Sequence, residues 1–195
     1  MEWTPLELAA IAFTLANVWL AVKENMWTWP TGIVSVTLYA IVFYQSKLYA
    51  NAGLQVIYFA LSIHGWYEWL HGGANHSELH VRRTTVNQWI GCMIAGVVLT
   101  AALMWFLKVV SGSAPFSDAV TTAFSIVGQW MLNEKLLENW WIWLAVDVIY
   151  VPMFVASGHP GSAGLYAIFC ILCIKGLVEW RKSLVRDSGF EIRDS

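Results

Sequence analysis

The sequence predicts an all-α integral membrane protein of seven transmembrane helices, arranged as three, one and three. Three observations carry this. The 195 residues are 58% hydrophobic and only 12% charged, about half the charged fraction of an ordinary soluble domain. The apolar residues fall into seven runs, most of them long enough to cross a hydrocarbon core that needs roughly 17–25 residues. The first three runs and the last three share residues at matching positions, with the fourth between them.

The runs lie near 5–22, 27–44, 50–70, 89–110, 117–132, 140–157 and 161–179. Polar or turn-forming breaks separate them: Lys23-Glu24-Asn25, Gln45-Ser46-Lys47, the stretch 71–88, Ser111-Gly112-Ser113, Asn133-Glu134-Lys135 and Gly158-His159-Pro160-Gly161. Glu2, rather than a basic segment, precedes the first run and no cleavage site follows it, so it reads as a retained span. The resulting division is 1–70 for the first repeat, 71–115 for a loop and linker helix, 116–183 for the second repeat and 184–195 for a polar cytoplasmic tail.

Basic residues mark the cytoplasmic side of a membrane protein. Seven spans place Lys47 and Lys108 on one side, and Lys23, Arg82, Arg83, Lys135, Arg181, Lys182, Arg186 and Arg193 on the other. The N-terminus is therefore expected outside and the C-terminus in the cytoplasm, in a multi-pass protein of the bacterial inner membrane.

The repeat shows in several phrases. His64-Gly-Trp-Tyr-Glu-Trp69 matches Lys175-Gly-Leu-Val-Glu-Trp180 at an offset of 111, as do Thr14 with Ser125 and Trp19 with Trp130. Asn25-x-Trp27-x-Trp29 and Asn139-x-Trp141-x-Trp143 pair at 114, which implies a three-residue insertion undone further on. A single intervening span gives both triplets the same orientation. Parallel repeats that hold a solute between their halves are a recognised transporter plan.

Helical spacing selects the inward stripes. The third span offers Gln55, Tyr58, Ser62, Trp66 and Trp69; the fifth Thr122, Ser125 and Gln129; the sixth Trp140, Trp143, Asp147 and Tyr150; the seventh Tyr166, Cys173 and Trp180. Aromatic faces mixed with amides, hydroxyls and a carboxylate can stack a planar ring and hydrogen-bond a sugar. Asp147 stands out, because an ionised carboxylate in mid-membrane costs about 2.5–3.5 kcal/mol or more. It either ties helices together or meets the substrate. The candidate substrate contacts are Gln55, Tyr58, Trp66, Gln129, Trp143, Asp147 and Tyr166. Gln55 and Gln129 could also simply bridge helices.

Other features carry bland readings. Trp3, Trp27, Trp29, Trp69, Trp89, Trp140, Trp141 and Trp180 lie near span ends and read mainly as an interfacial belt. Cys170 and Cys173 lack a second pair and read as one turn of small residues, so no metal or disulfide follows. Gly161-Ser162-Ala163-Gly164 superficially resembles a hydrolase elbow but reads as an outward loop, with only His159 at hand. An intramembrane enzyme or a scaffold fits less well than a transporter, and no catalytic residue, cofactor or nucleic-acid partner is expected. No phosphate-binding loop is present, so direct ATP use is not expected.

Linked motifs bring a family into view. They are Trp29-Pro30-x-Gly32, Phe43-Tyr44-Gln45-x-Lys47-x-Tyr49-Ala50, Leu54-Gln55-x-x-Tyr58 and Gly65-Trp66-Tyr67-x-Trp69. Lys135, Asn139-Trp140-x-x-Trp143, Asp147 and Gly176-x-x-Glu179-Trp180 follow in the second half. From about residue 10 to 183 the chain resembles the PnuC family of bacterial vitamin transporters. The resemblance implies a fold related to the SWEET sugar transporters and a homo-oligomer, a trimer. It also implies facilitated diffusion of nicotinamide riboside, made one-way by phosphorylation inside the cell. Thiamine, riboflavin and deoxynucleosides are the family's other cargoes. Among vitamins, a cationic ring such as that of nicotinamide riboside or thiamine gains about 2 kcal/mol over desolvated aromatic faces. Asp147 would add to that preference, with Trp66 and Trp143 flanking the ring and Gln55 and Gln129 on the ribose or amide.

Overall fold

The computed structural model describes residues 3–111 and 116–191; Glu2, Gly112, Ser113 and Arg193 lie outside the described residues. Seven α-helices follow in order: α1 (Pro5–Val22), α2 (Thr28–Gln45), α3 (Tyr49–His71), α4 (Val86–Ser111), α5 (Phe116–Asn133), α6 (Asn139–Ala156) and α7 (Pro160–Glu191). A single 3-10 turn, Ala74–His76, interrupts the connection between α3 and α4. α1, α4, α6 and α7 are long and apolar enough to cross a membrane by composition alone. α2, α3 and α5 have the length of spans but are less apolar, with hydroxyl, amide and other polar side chains along them. α7 continues through 184–191, beyond its apolar run.

Helix ends follow local chemistry. Thr4 caps α1, accepting a bond from the Glu7 N–H at 3.2 Å while Glu7 Oε2 accepts from the Thr4 N–H at 2.7 Å, with Pro5 in the first turn. At the other end of α2 the Lys47 and Leu48 amides donate to the carbonyls of Tyr44 and Phe43, closing a Schellman cap with Lys47 at φ 60°. α6 ends the same way, Gly158 and His159 donating to Val155 and Phe154, with Gly158 at φ 75°. Glu24 and Lys135 hold the corresponding left-handed positions after α1 and α5, at φ 53° and 47°.

These bounds settle the register of the repeat. Pro5–Val22 recurs as Phe116–Asn133, Thr28–Gln45 as Asn139–Ala156, and the start of α3 at Tyr49 as the start of α7 at Pro160, each 111 positions on. Hydrogen bonds keep the same step: Asn25 N–H to Leu20 and Leu136 N–H to Met131; Thr28 N–H to Asn25 and Asn139 N–H to Leu136. The three-residue insertion expected from the tryptophan phrases is therefore wrong. Trp29 corresponds to Trp140, and Gly32 to Trp143. The tryptophan echo misled because offset 114 pairs two tryptophans, Trp27 with Trp141 and Trp29 with Trp143, whereas offset 111 pairs only Trp29 with Trp140.

The chain divides into two compact units. The first comprises Met1–Val81, Asn133–Lys135 and Val178–Ser195; the second comprises Arg82–Leu132 and Leu136–Leu177. Tryptophan fills the first. Trp29, Trp69 and Trp180 are its largest fully buried side chains, with Trp69 edge-on to Trp29 at 5.2 Å and to Trp180 at 6.0 Å. The Trp180 indole donates to the Ala21 carbonyl at 2.9 Å. Trp29 closes over Gly65 so tightly that a Cβ there would overlap its ring. Buried Lys135 sits 4.5 Å above the Trp69 ring and 3.6 Å from Glu24, and Asn133 donates to the Leu61 carbonyl at 2.8 Å. The belt reading fails for Trp29, Trp69, Trp140 and Trp180, which are core; Trp3, Trp27 and Trp141 stay exposed as a belt requires.

The second unit packs Cys92, Val127, Met131, Leu136 and Ile142 into a core flanked by Trp89, Leu99, Phe124 and Trp130. The segment before α4 is tied down rather than loose. Leu137 donates to the Arg82 carbonyl at 2.9 Å, and the Thr84 amide and hydroxyl both donate to Glu138 at 2.7 Å. Trp140 closes over Gly176 as Trp29 does over Gly65. Gly161–Gly164 lies in the first turn of α7, not in a loop, and so has none of the backbone strain of a hydrolase elbow.

Candidate substrate-binding site

One face of α6 carries, at helical spacing, aromatic residues around a single acid: Trp143, Asp147, Tyr150 and Phe154. Asp147 is 5% exposed. Its partner is the Cys173 thiol of α7, which donates to Asp147 Oδ2 at 3.5 Å. Among the described residues no basic side chain forms an ion pair with Asp147. A thiol is a weak donor, so the carboxyl group is buried with little to compensate it.

Above Asp147 an aromatic group closes the stripe. Tyr150 and Tyr166 approach with ring centroids 4.7 Å apart, and Phe154 stacks on Tyr166 at 5.2 Å with an interplanar angle of 16°. Phe169 meets Tyr166 edge-on at 5.8 Å. The Tyr150 hydroxyl lies beside Thr121 and Thr122 of α5. Below Asp147, the Trp143 indole lies against α5 where Gly128 leaves room: a Cβ on Gly128 would stand 3.3 Å from Trp143 Nε1 and 3.2 Å from Ile142 Cγ2. Gln129 follows Gly128 and is half-buried. Asn139 opens α6 fully buried; its Nδ2 donates to the Leu136 carbonyl at 2.6 Å, while Oδ1 has no protein partner. An unmatched buried acceptor costs about 1–3 kcal/mol.

Of the seven predicted contacts, Gln129, Trp143, Asp147 and Tyr166 belong to this second unit, and α5, α6 and α7 carry them in one neighbourhood. Gln55, Tyr58 and Trp66 lie along α3 in the first unit. There Gln55 and Tyr58 are half-buried, Ser62 donates back to the Tyr58 carbonyl at 2.8 Å, and Trp66 is 38% exposed. Sequence reasoning passed over Gly128, and took Cys173 chiefly as a small residue beside Cys170. The repeat at its true offset would have exposed both, since Gly128 falls opposite Asn17 and Cys173 opposite the buried hydroxyl of Ser62.

Seven helices, a duplicated three-helix plan and a buried acid set among aromatic rings define a class: a membrane transporter for a small molecule, not an enzyme. The sequence profile described as nicotinamide mononucleotide transporter matches residues 4–182, and the chain belongs to that family. It is similar to the riboflavin/roseoflavin transporter RibM of Streptomyces davaonensis, at 29% identity over 89% of this chain and 83% of that protein. It is also similar to the nicotinamide riboside transporter PnuC of Escherichia coli, at 27% identity over 90% and 84% of the two chains. The corresponding protein of Neisseria mucosa is 28% identical over 93% of this chain and 73% of its own length. The crystal structure of the vitamin B3 transporter PnuC superposes with a TM-score of 0.76 at 24% identity, over 93% of this chain and 82% of that one. The PnuC resemblance expected from the motifs and the seven-helix fold expected from the apolar runs are both met.

Proposed function

We propose that the protein carries nicotinamide riboside into the cell across the bacterial inner membrane by facilitated diffusion. Cytoplasmic phosphorylation of the product makes the uptake one-way. In this reading the N-terminus lies outside and the C-terminus inside, and the protein works as a homo-oligomer, a trimer. The observation that carries the substrate is Asp147, buried with only a thiol for a partner. A cationic ring would supply the missing charge, and Trp143 an aromatic face for it to stack on. Gln129 and Tyr166 stand by for the ribose hydroxyls and the amide, and Gln55, Tyr58 and Trp66 are the contacts proposed for the first repeat.

Riboflavin is the second reading, favoured by the 29% identity to RibM. Its ring is uncharged, so it offers Asp147 hydrogen-bond donors but no positive charge. Calorimetry on the purified protein with nicotinamide riboside, thiamine, riboflavin and a deoxynucleoside separates the two. Saturable binding of nicotinamide riboside, tighter than that of riboflavin, is the expected result; binding of riboflavin alone overturns the proposal.

A further inference from the structure

The two repeats share one register and break it at one reciprocal pair. In the first repeat α1 carries Asn17 and α2 carries Gly32. The Asn17 amide donates to the Thr28 carbonyl at 2.6 Å and to the Thr28 hydroxyl at 2.9 Å, and that hydroxyl donates back to the Asn17 carbonyl at 3.0 Å. Gly32 makes room for it, for a Cβ there would stand 2.8 Å from Asn17 Nδ2. In the second repeat the corresponding positions are Gly128 on α5 and Trp143 on α6, and now the indole occupies the space over the glycine. Asn139, at the position of Thr28, keeps a buried carboxamide oxygen with no protein partner. The amide that serves Thr28 has no counterpart, because residue 128 has no side chain.

We infer that Gly128 is a specificity-determining position: it forms the berth that holds the Trp143 indole in place against the substrate ring. The inference rests on the reading of Trp143 as a substrate contact. The first repeat spends its space on a hydrogen bond that fastens the start of α2 to α1. The second gives up that bond and gains a flat aromatic surface one turn from Asp147. Gly128 is thus a positioning residue, and the space at 128 fixes how far the indole stands from α5. A Cβ at 3.2–3.3 Å from Ile142 and Trp143 is tighter than ordinary contact, so even alanine makes Ile142 and the indole give by a few tenths of an ångström.

The test is a double-mutant cycle read by calorimetry, with the best-bound of nicotinamide riboside, thiamine and riboflavin as probe, up to millimolar concentration. Gly128→Ala is expected to weaken binding by about fivefold or more in the parent, and by less than about twofold in a Trp143→Phe background, where the ring edge that meets residue 128 is gone. Equal losses in both backgrounds, or no loss in either, overturn the inference. If Trp143→Phe leaves every affinity unchanged, the reading of Trp143 as a contact fails and this inference falls with it. If Trp143→Phe alone shifts affinity while Gly128→Ala does not, only the inference fails. Thermal melting guards against misfolding. Gly128→Asn should lower the melting temperature, and adding Trp143→Gly, which recreates the first repeat's pair, should raise it again without restoring binding. A double variant no more stable than Gly128→Asn alone contradicts the reciprocal fit.

Discussion

Gly65 and Gly176 show how single residues hold each unit together. They face Trp29 and Trp140 at equivalent places, and in both a methyl group would overlap an indole rather than a movable chain end. Overpacking of this kind costs about 1–3 kcal/mol. Gly65→Ala and Gly176→Ala are each expected to lower the melting temperature in detergent, while alanine at exposed Gly53 or Gly91, where nothing lies within 4 Å, is not. The sequence displays Gly-x-x-x-Trp in both halves, yet a glycine within an apolar helix reads equally as flexibility or as close packing. Which indole it faces depends on contacts between helices far apart in sequence. Asp147 was legible for the opposite reason, since a mid-membrane acid is conspicuous without any structure. Its thiol partner was not, because Cys173 is 26 positions away on another helix.

At the level of elements, four helix ends share one left-handed position, but only Gly158 fills it with glycine. Lys47 holds it at φ 60°, exposed, and its side chain gains nothing that offsets the strain of about 1–2 kcal/mol. Lys47→Gly should therefore raise stability by up to about 1 kcal/mol, after glycine's greater unfolded-state entropy is subtracted. Gly158→Ala should lower it by about 1 kcal/mol, and thermal melts of both variants check the pair. Helix bounds were read from sequence to within about three residues, because polar breaks and apolar runs alternate so cleanly, except at the end of α7, which runs on to Glu191 past the expected end at 179. The register between the two triplets was not. Tryptophans at Trp27, Trp29, Trp140, Trp141 and Trp143 allow two alignments, and only the shared caps and turns, fixed by hydrogen bonds, select one.

At the scale of the whole molecule, duplication supplied two three-helix repeats and divergence made one of them acidic. Val36 stands in α2 where Asp147 stands in α6, and Ser62 in α3 where Cys173 stands in α7. The family follows from the match over residues 4–182, whereas the cargo turns on whether Asp147 meets a positive charge. The most direct measurement uses calorimetry with two ligands that differ in ring charge: nicotinamide riboside, a cation, and its reduced dihydropyridine form, which is neutral and carries the same ribose. The parent is expected to bind the cation at least about tenfold more tightly, worth about 1.4 kcal/mol, and Asp147→Asn to shrink that difference to what the aromatic faces alone supply. A parent that binds both forms equally, or an Asp147→Asn protein that keeps the full preference, would contradict this expectation.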